Sequence, residues 1–238
     1  MSGERTGGGR SVRLDPTLPP PSSATALSVE DFTRRAVQSL LPLSALAAGD
    51  KEAAPPKSRG DYRLDDALPF IADPSAIRPA AVLIPIVARR EATLLLTERA
   101  AGLAVHAGQI AFPGGRLEPG ETALSAAMRE AQEEIGLAPE LVSPLGALDP
   151  YLTGTGFRVT PIVALVDPAF HLAPNPIEVA HVFEAPLGFL MDPANHQIHS
   201  RELRGRMRRF YAMPWEGHYI WGATAGMIRI LYERVYGQ

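Results

Sequence analysis

Cysteine is absent from the 238 residues, which excludes disulfides, thiolate catalysis and thiolate zinc sites without fixing a compartment. Long hydrophobic runs are absent too. The longest, "PAAVLIPIVA", is too short to span a bilayer, and the N-terminus has no signal-type apolar region, so the expected location is cytoplasmic. Charge of one sign is also missing. Lys and Arg number 23 against 26 Asp and Glu, for a formal net charge of -3. Neither sign dominates the long-range field, so no nucleic-acid or membrane partner is expected, while small anions could still bind locally. What remains, 46% hydrophobic and 21% charged, is an ordinary globular composition. It suits one catalytic domain with extensions.

Residues 1–27, "MSGERTGGGRSVRLDPTLPPPSSATAL", are rich in Gly, Pro and Ser with few large apolar side chains. They read as a disordered tail, because too little surface is available to offset the entropy of ordering. Residues 28–77 read as a helix and a linker. "SVEDFTRRAVQSLL" offers Ser28 as N-cap with Asp31 reaching back, and Val29, Phe32, Ala36 and Leu40 at helical spacing, a helix expected to pack on the domain surface. "AAGDKEAAPPKSRGD" has linker composition. The catalytic domain is expected over 78–238.

Within it, apolar runs at 80–89 and 92–99 flank a polar turn and predict a hairpin. The strongest helix spans 122–137: Leu124, Met128, Ala131 and Ile135 recur on one stripe and Gly136 supplies the stop. "LGALDPYL", "FRVTPIVALV" and "EVAHVFEAPL" read as further strands, 196–203 and 207–213 as an arginine-rich hairpin, and 222–236 as a final helix. Strands outnumber helices without regular alternation, which predicts an α+β mixed sheet covered by helices rather than a doubly wound fold.

"REAQEEIG" at 129–136 crowds three glutamates and one arginine together. On a helix, Glu130, Glu133 and Glu134 fall within roughly 100° of one another. One reading is a solvated acidic face, with Arg129 and Glu133 as an i, i+4 pair. The other follows from the flanks. Ala126 and Ala127 precede the acids on that face and are small enough to let a ligand or another backbone approach. "FPGGRLEPGE" lies just before the helix, and its glycines can bring main chain close to a ligand. Such a loop leading into carboxylates suits a phosphate held by hard cations.

Gly115, five residues, Glu121, seven residues, Arg129-Glu130, two residues, Glu133-Glu134, one residue, then Gly136 and Leu137 resembles the Nudix box, with Ala131 where a larger aliphatic is usual. With seven fixed positions, a chance match at a given site is on the order of 10^-8. The resemblance implies an α/β/α sandwich around a mixed sheet and hydrolysis of a nucleoside diphosphate linked to another moiety. Carried over, Glu130, Glu133 and Glu134 would ligate Mg2+ or Mn2+, with a backbone carbonyl from the Gly114-Gly115 pair. Glu121 and Arg129 would tie the loop to the helix and orient the acids. Either Glu130 or Glu134 could take the proton of the attacking water, and Glu178 is a candidate assisting acid.

"LLTERAAGLAVHAGQIAFPGG" at 95–115 resembles the further signature of the coenzyme A pyrophosphatase branch, through a Leu-Thr-x-Arg start, a His, Gly-Gln and Phe-Pro-Gly-Gly. "EVAHVFEAPLGFLMD" and "YIWGATAGMIRIL" look like the same branch. Ala100 and Ala104 depart from it, at positions usually Ser and basic. The resemblance implies substrate contacts by Arg99, His106, Gly108, Gln109, Phe112 and Gly115. Arg99 could instead be only a salt-bridge partner and His106 a loop hydrogen-bonder, while Gly108, Gln109, Phe112 and Pro113 could shape the loop without touching substrate. Arg201, Arg204, Arg206, Arg208 and Arg209 could grip phosphates or form a solvated face. The expected substrate is coenzyme A or an acyl derivative, giving 4'-phosphopantetheine and adenosine 3',5'-bisphosphate. ADP-ribose, a dinucleotide or a nucleoside triphosphate is the alternative, a non-catalytic ligand sensor ranks last, and pairing of two copies is allowed.

Overall fold

In a computed structural model, residues 26–46, 59–65, 77–102, 107–203 and 205–237 are described, the side chains of residues 203 and 206 excepted. The expected disordered tail, but for residues 26 and 27, and most of the linker lie outside them. So do Ala104, His106 and Arg204.

Among the described residues eleven strands form two sheets. β1 (Arg78–Val87) and β2 (Thr93–Arg99) make the expected hairpin, pairing Ile86 with Leu94 and Val87 with Thr93. β1 then runs parallel to β7 (Phe157–Val166) along its whole length. Around this pair stand β3 (Ile110–Ala111), β4 (Gly114–Arg116), β5 (Val142–Ala147), β6 (Tyr151–Leu152) and β8 (Val179–Pro186), completing an eight-stranded mixed sheet. β1 and β7 are almost wholly buried, as near-continuous apolar runs require when both sheet faces are covered. β9 (Gln197–Leu203), β10 (Arg206–Trp215) and β11 (His218–Trp221) form a separate antiparallel sheet.

Among the described residues four α-helices complete the layers: α1 (Val29–Ser39), α2 (Ala123–Ile135), α3 (Leu187–Leu190) and α4 (Ala223–Val235). On one face of the large sheet, Leu83, Leu95, Ile162 and Val166 pack against α2. On the other, Ile84, Leu94, Leu96 and Val163 pack against α1, α4 and the small sheet. The result is an α+β sandwich with a central mixed sheet, as the composition of the elements predicted.

The N-terminal helix differs from expectation in depth. Phe32 and Ala36 are fully buried in the core shared with α4, and Leu41 bridges to Ala147, so α1 is built into the fold rather than laid on it. Ser28 does cap it, accepting from the Asp31 N–H, but the Asp31 carboxylate turns to Arg34 and Arg35 instead of reaching back. Two guanidiniums one turn away offer it more than a single cap N–H. Among the described residues no helix is long and apolar enough to cross a membrane.

Candidate active site

The helix that bears the acids is fixed at both ends. Thr122 Oγ1 accepts from the Ser125 N–H while Ser125 Oγ accepts from the Thr122 N–H, a reciprocal cap of the kind that satisfies orphan donors. Gly136 ends the helix with a φ of 69°, in the left-handed region. The buried face is offset from the expected stripe. Ala123, Ala126, Ala127, Ala131 and Ile135 are buried, while Leu124 and Met128 are only partly so. Ala126 and Ala127 therefore do not leave room for a ligand. Their small side chains bring the helix close to β1 and β4, which carries Glu134 inward until only 4% of it is exposed.

The preceding loop is shaped to receive these carboxylates. The Gly114 N–H donates to Glu134 Oε2 at 3.1 Å. A Cβ on Gly115 would stand 2.5 Å from Glu130 Cδ, so only glycine lets that carboxylate lie against the main chain. Arg129 ties loop to helix: its Nε and Nη2 donate to the two oxygens of Glu121 at 2.8 and 3.0 Å, and Nη2 also reaches the Arg116 carbonyl. Its Nη1 lies 3.1 Å from Glu130 Oε1 and 2.9 Å from Glu133 Oε2. Glu133, with a side chain 60% exposed, thus sits in the i, i+4 pair of the bland reading. The structure does not bring it in beside Glu134.

Charge is under-compensated inside. Burial is the main cause that raises the Glu134 carboxyl to about 7; the Gly114 N–H opposes this, and Glu130 and Glu178 add repulsion. Glu130 is raised as well, by burial first, with Arg129 opposing and Glu133 and Glu178 adding to it. Glu121 is instead held low by the Arg129 hydrogen bond. The nearest inner cation is Arg99, whose Nη1 lies 3.9 Å from Glu134 Oε1. Its buried Nε has no hydrogen-bond partner among the described residues.

The remaining expected residues divide. Glu178, half-buried, accepts from the Ala100 N–H through its carbonyl and lies near enough to act on both Glu130 and Glu134. Arg99 donates its backbone N–H to the Gln109 carbonyl, and its own carbonyl accepts from the Gly108 N–H, which ties these two residues to it. Gly108 makes the turn with a φ of 69°. Phe112 is buried: at 3% exposure it belongs to the core cluster that also holds Ile110, Met213 and Ile220. It stands just past the end of β3, two residues after Ile110, and turns into the same core. Of the arginine cluster, Arg208 and Arg209 lie 3.9 and 3.2 Å from Asp65, a partner too distant in sequence for local reading.

A family model described as the NUDIX domain matches residues 77–206, more than half of the chain. The chain belongs to the Nudix family. Among its Nudix relatives, the "Uncharacterized Nudix hydrolase NudL" of Citrobacter koseri is 44% identical over 155 residues, covering 65% of this chain and 81% of the relative. The protein of the same name from Photorhabdus laumondii is 43% identical over 159 residues, covering 66% and 85%. A solved structure, the C. elegans Ap4A hydrolase binary complex, is similar with a TM-score of 0.40 and 21% identity over 45% of this chain and 80% of that one. The protein is a Nudix hydrolase.

Nudix hydrolases generally use divalent metal ions, and the donor set fits one in part. Among the described residues no three acidic or imidazole groups stand ready as a metal shell. Glu130 and Glu134 are hard oxygen donors held partly or wholly out of water, and burial still raises both although Arg129 stands against Glu130 and the Gly114 N–H and Arg99 against Glu134. A small cation between such groups is the most effective relief. Glu133 would have to leave Arg129 to join them.

Proposed function

We propose that this Nudix hydrolase cleaves the diphosphate of coenzyme A or an acyl derivative, releasing 4'-phosphopantetheine and adenosine 3',5'-bisphosphate in the cytoplasm. The observation that carries the reading is the place of the branch-signature segment. Arg99 stands 3.9 Å from Glu134 and is bonded through its main chain to Gly108 and Gln109, so these residues of the substrate signature are tied to the residues of the chemistry.

Glu130 and Glu134 would hold Mg2+ or Mn2+, with Glu133 swinging in from Arg129. The metal, when bound, neutralises the diphosphate and acidifies the attacking water. The chain's own groups do the rest. Arg99 presents an inner guanidinium whose fork matches phosphate oxygens. Either Glu130 or Glu134 accepts the water's proton as the oxygen attacks phosphorus in line and the phosphoric anhydride P–O bond breaks. Arg129 acts as a positioning residue: its bonds to Glu121 fix the loop so that Glu130 points inward. Glu178 adds negative potential at the rim, which strengthens cation binding.

Turnover of coenzyme A and of ADP-ribose, each with Mg2+ and with Mn2+, tests the substrate. Preference for coenzyme A supports the proposal, and its resistance under both metals with ADP-ribose cleaved would overturn it.

A further inference from the structure

Four aromatic side chains that the chemistry does not use form a stack at the edge of the large sheet. Phe183 of β8 and His218 of β11 lie face to face, with centroids 3.8 Å apart and planes 5° from parallel. His181 lies 6.2 Å from each, at 10° and 9°, and Trp215 lies 6.1 and 5.9 Å away, at 14° and 17°. His181 is exposed and the other three are half-buried. Three strands from two sheets, β8, β10 with Trp215 and β11, thus present their rings with nearly one orientation.

The stack is continuous with the site. β8 begins next to Glu178, which acts on Glu130 and Glu134. In β2, Arg99 pairs with Val179 and Glu98 with His181, across a bulge at Glu98/Arg99. That bulge resets the alternation. Val182 packs with the α2 side of the sheet, while Phe183 packs with the opposite side. His181, two residues from Phe183, is turned to the same side as Phe183. From Glu178 to His181 the strand rises about 10 Å, the reach of one nucleoside from its phosphates. Rings that simply filled a core would be fully covered, whereas these four are exposed or half-buried. Parallel, half-open rings at the rim of a phosphate site suit another planar aromatic.

We propose that His181, Phe183, His218 and Trp215 form the nucleobase subsite, stacking the adenine of the substrate while its diphosphate reaches Glu130 and Glu134. This rests on the reading of the site as one for nucleoside diphosphate derivatives, and it names the residues that take the base.

Trp215 supplies the test. The chain has two tryptophans, so Trp221→Phe leaves Trp215 as the sole reporter, and its emission is followed as adenosine 5'-monophosphate or ribose 5-phosphate is added to the full chain. The expected result is saturable quenching by the adenine nucleotide and none by the sugar phosphate. Adding His181→Ala, at an exposed position, should weaken that affinity by about tenfold with the melting temperature kept. Unchanged emission, or quenching that His181→Ala leaves untouched, overturns the proposal. The readout needs no hydrolysis: failure to cleave coenzyme A would count against the functional reading alone, and coenzyme A cleavage with a silent Trp215 against the base subsite alone.

Discussion

The Glu130 carboxylate lies in the space that a side chain at Gly115 would fill: a Cβ there would stand 2.5 Å from Glu130 Cδ. The obstacle is the mobile end of a long side chain, so Gly115→Ala should fold normally and displace Glu130. We expect activity to fall by about a hundredfold or more, as for removal of a single strong electrostatic contact in an active site, with an unchanged circular dichroism spectrum.

The neighbouring glycine should behave in the opposite way. A Cβ on Gly114 would lie 2.6 Å from Val82 Cα, in the backbone of β1. Backbone cannot yield as a side chain can, so Gly114→Ala should cost about 1–3 kcal/mol of stability. Comparison of melting temperatures checks this: the Gly114 variant should melt lower than the Gly115 variant.

These neighbours mark how far the sequence could be read. The α2 helix, its Gly136 stop and the β1–β2 hairpin were legible because their signals are local. The parallel pairing of β1 with β7 was not, since the partners lie far apart in the chain and nothing in either strand names the other. The site divides in the same way. Glycines and glutamates at fixed spacing marked the acidic centre. That Phe112 turns into the core, that Glu133 prefers Arg129 to Glu134, and that Asp65 takes Arg209 were decided by packing. The ring stack left only His181 and Phe183 in alternation, too weak a signal without β11.

Arg129 should matter more to rate than to stability. Its ion pairs with Glu121, Glu130 and Glu133 lie near the surface, where each contributes about 0–1 kcal/mol. Arg129→Ala frees Glu121 and leaves the loop untied. The expected outcome is a fall in kcat of about tenfold or more beside a drop of only a few degrees in melting temperature. A rate unchanged beside a large thermal loss would make Arg129 merely structural.

The buried acids make metal-free stability depend on pH. Because folding raises the Glu134 carboxyl to about 7, the folded state binds its proton more tightly than the unfolded chain. Its favourable contribution is therefore complete below the ordinary carboxylate value and is lost as pH rises through about 7. Asp61, raised by burial to about 6, adds to the same decline. Metal-free protein should melt at progressively lower temperature from pH 5 to 8. Mg2+ should relieve the part due to Glu130 and Glu134 and leave that of Asp61, and Glu134→Gln should reduce the metal-sensitive part. A flat profile without metal would contradict the electrostatic account.

Arg99 should act on substrate affinity. Its guanidinium stands beside Glu134 with an unpartnered buried Nε among the described residues, and a charged hydrogen-bond donor to phosphate contributes about 1.5–3 kcal/mol. Arg99→Ala should raise KM for coenzyme A by roughly tenfold to a hundredfold, with a smaller effect on kcat. Steady-state kinetics separate the two.

The central claim is that Glu130 and Glu134 form a metal-dependent centre that cuts the diphosphate of coenzyme A. The most direct measurement is mass-resolved analysis of the products after coenzyme A is incubated with the wild-type chain and with Glu134→Gln, each with Mg2+ or Mn2+. The account predicts 4'-phosphopantetheine and adenosine 3',5'-bisphosphate from the wild type, and rates lower by orders of magnitude from a normally folded variant. Intact coenzyme A under both metals, products cut at another bond, or near-normal rates from Glu134→Gln would contradict it.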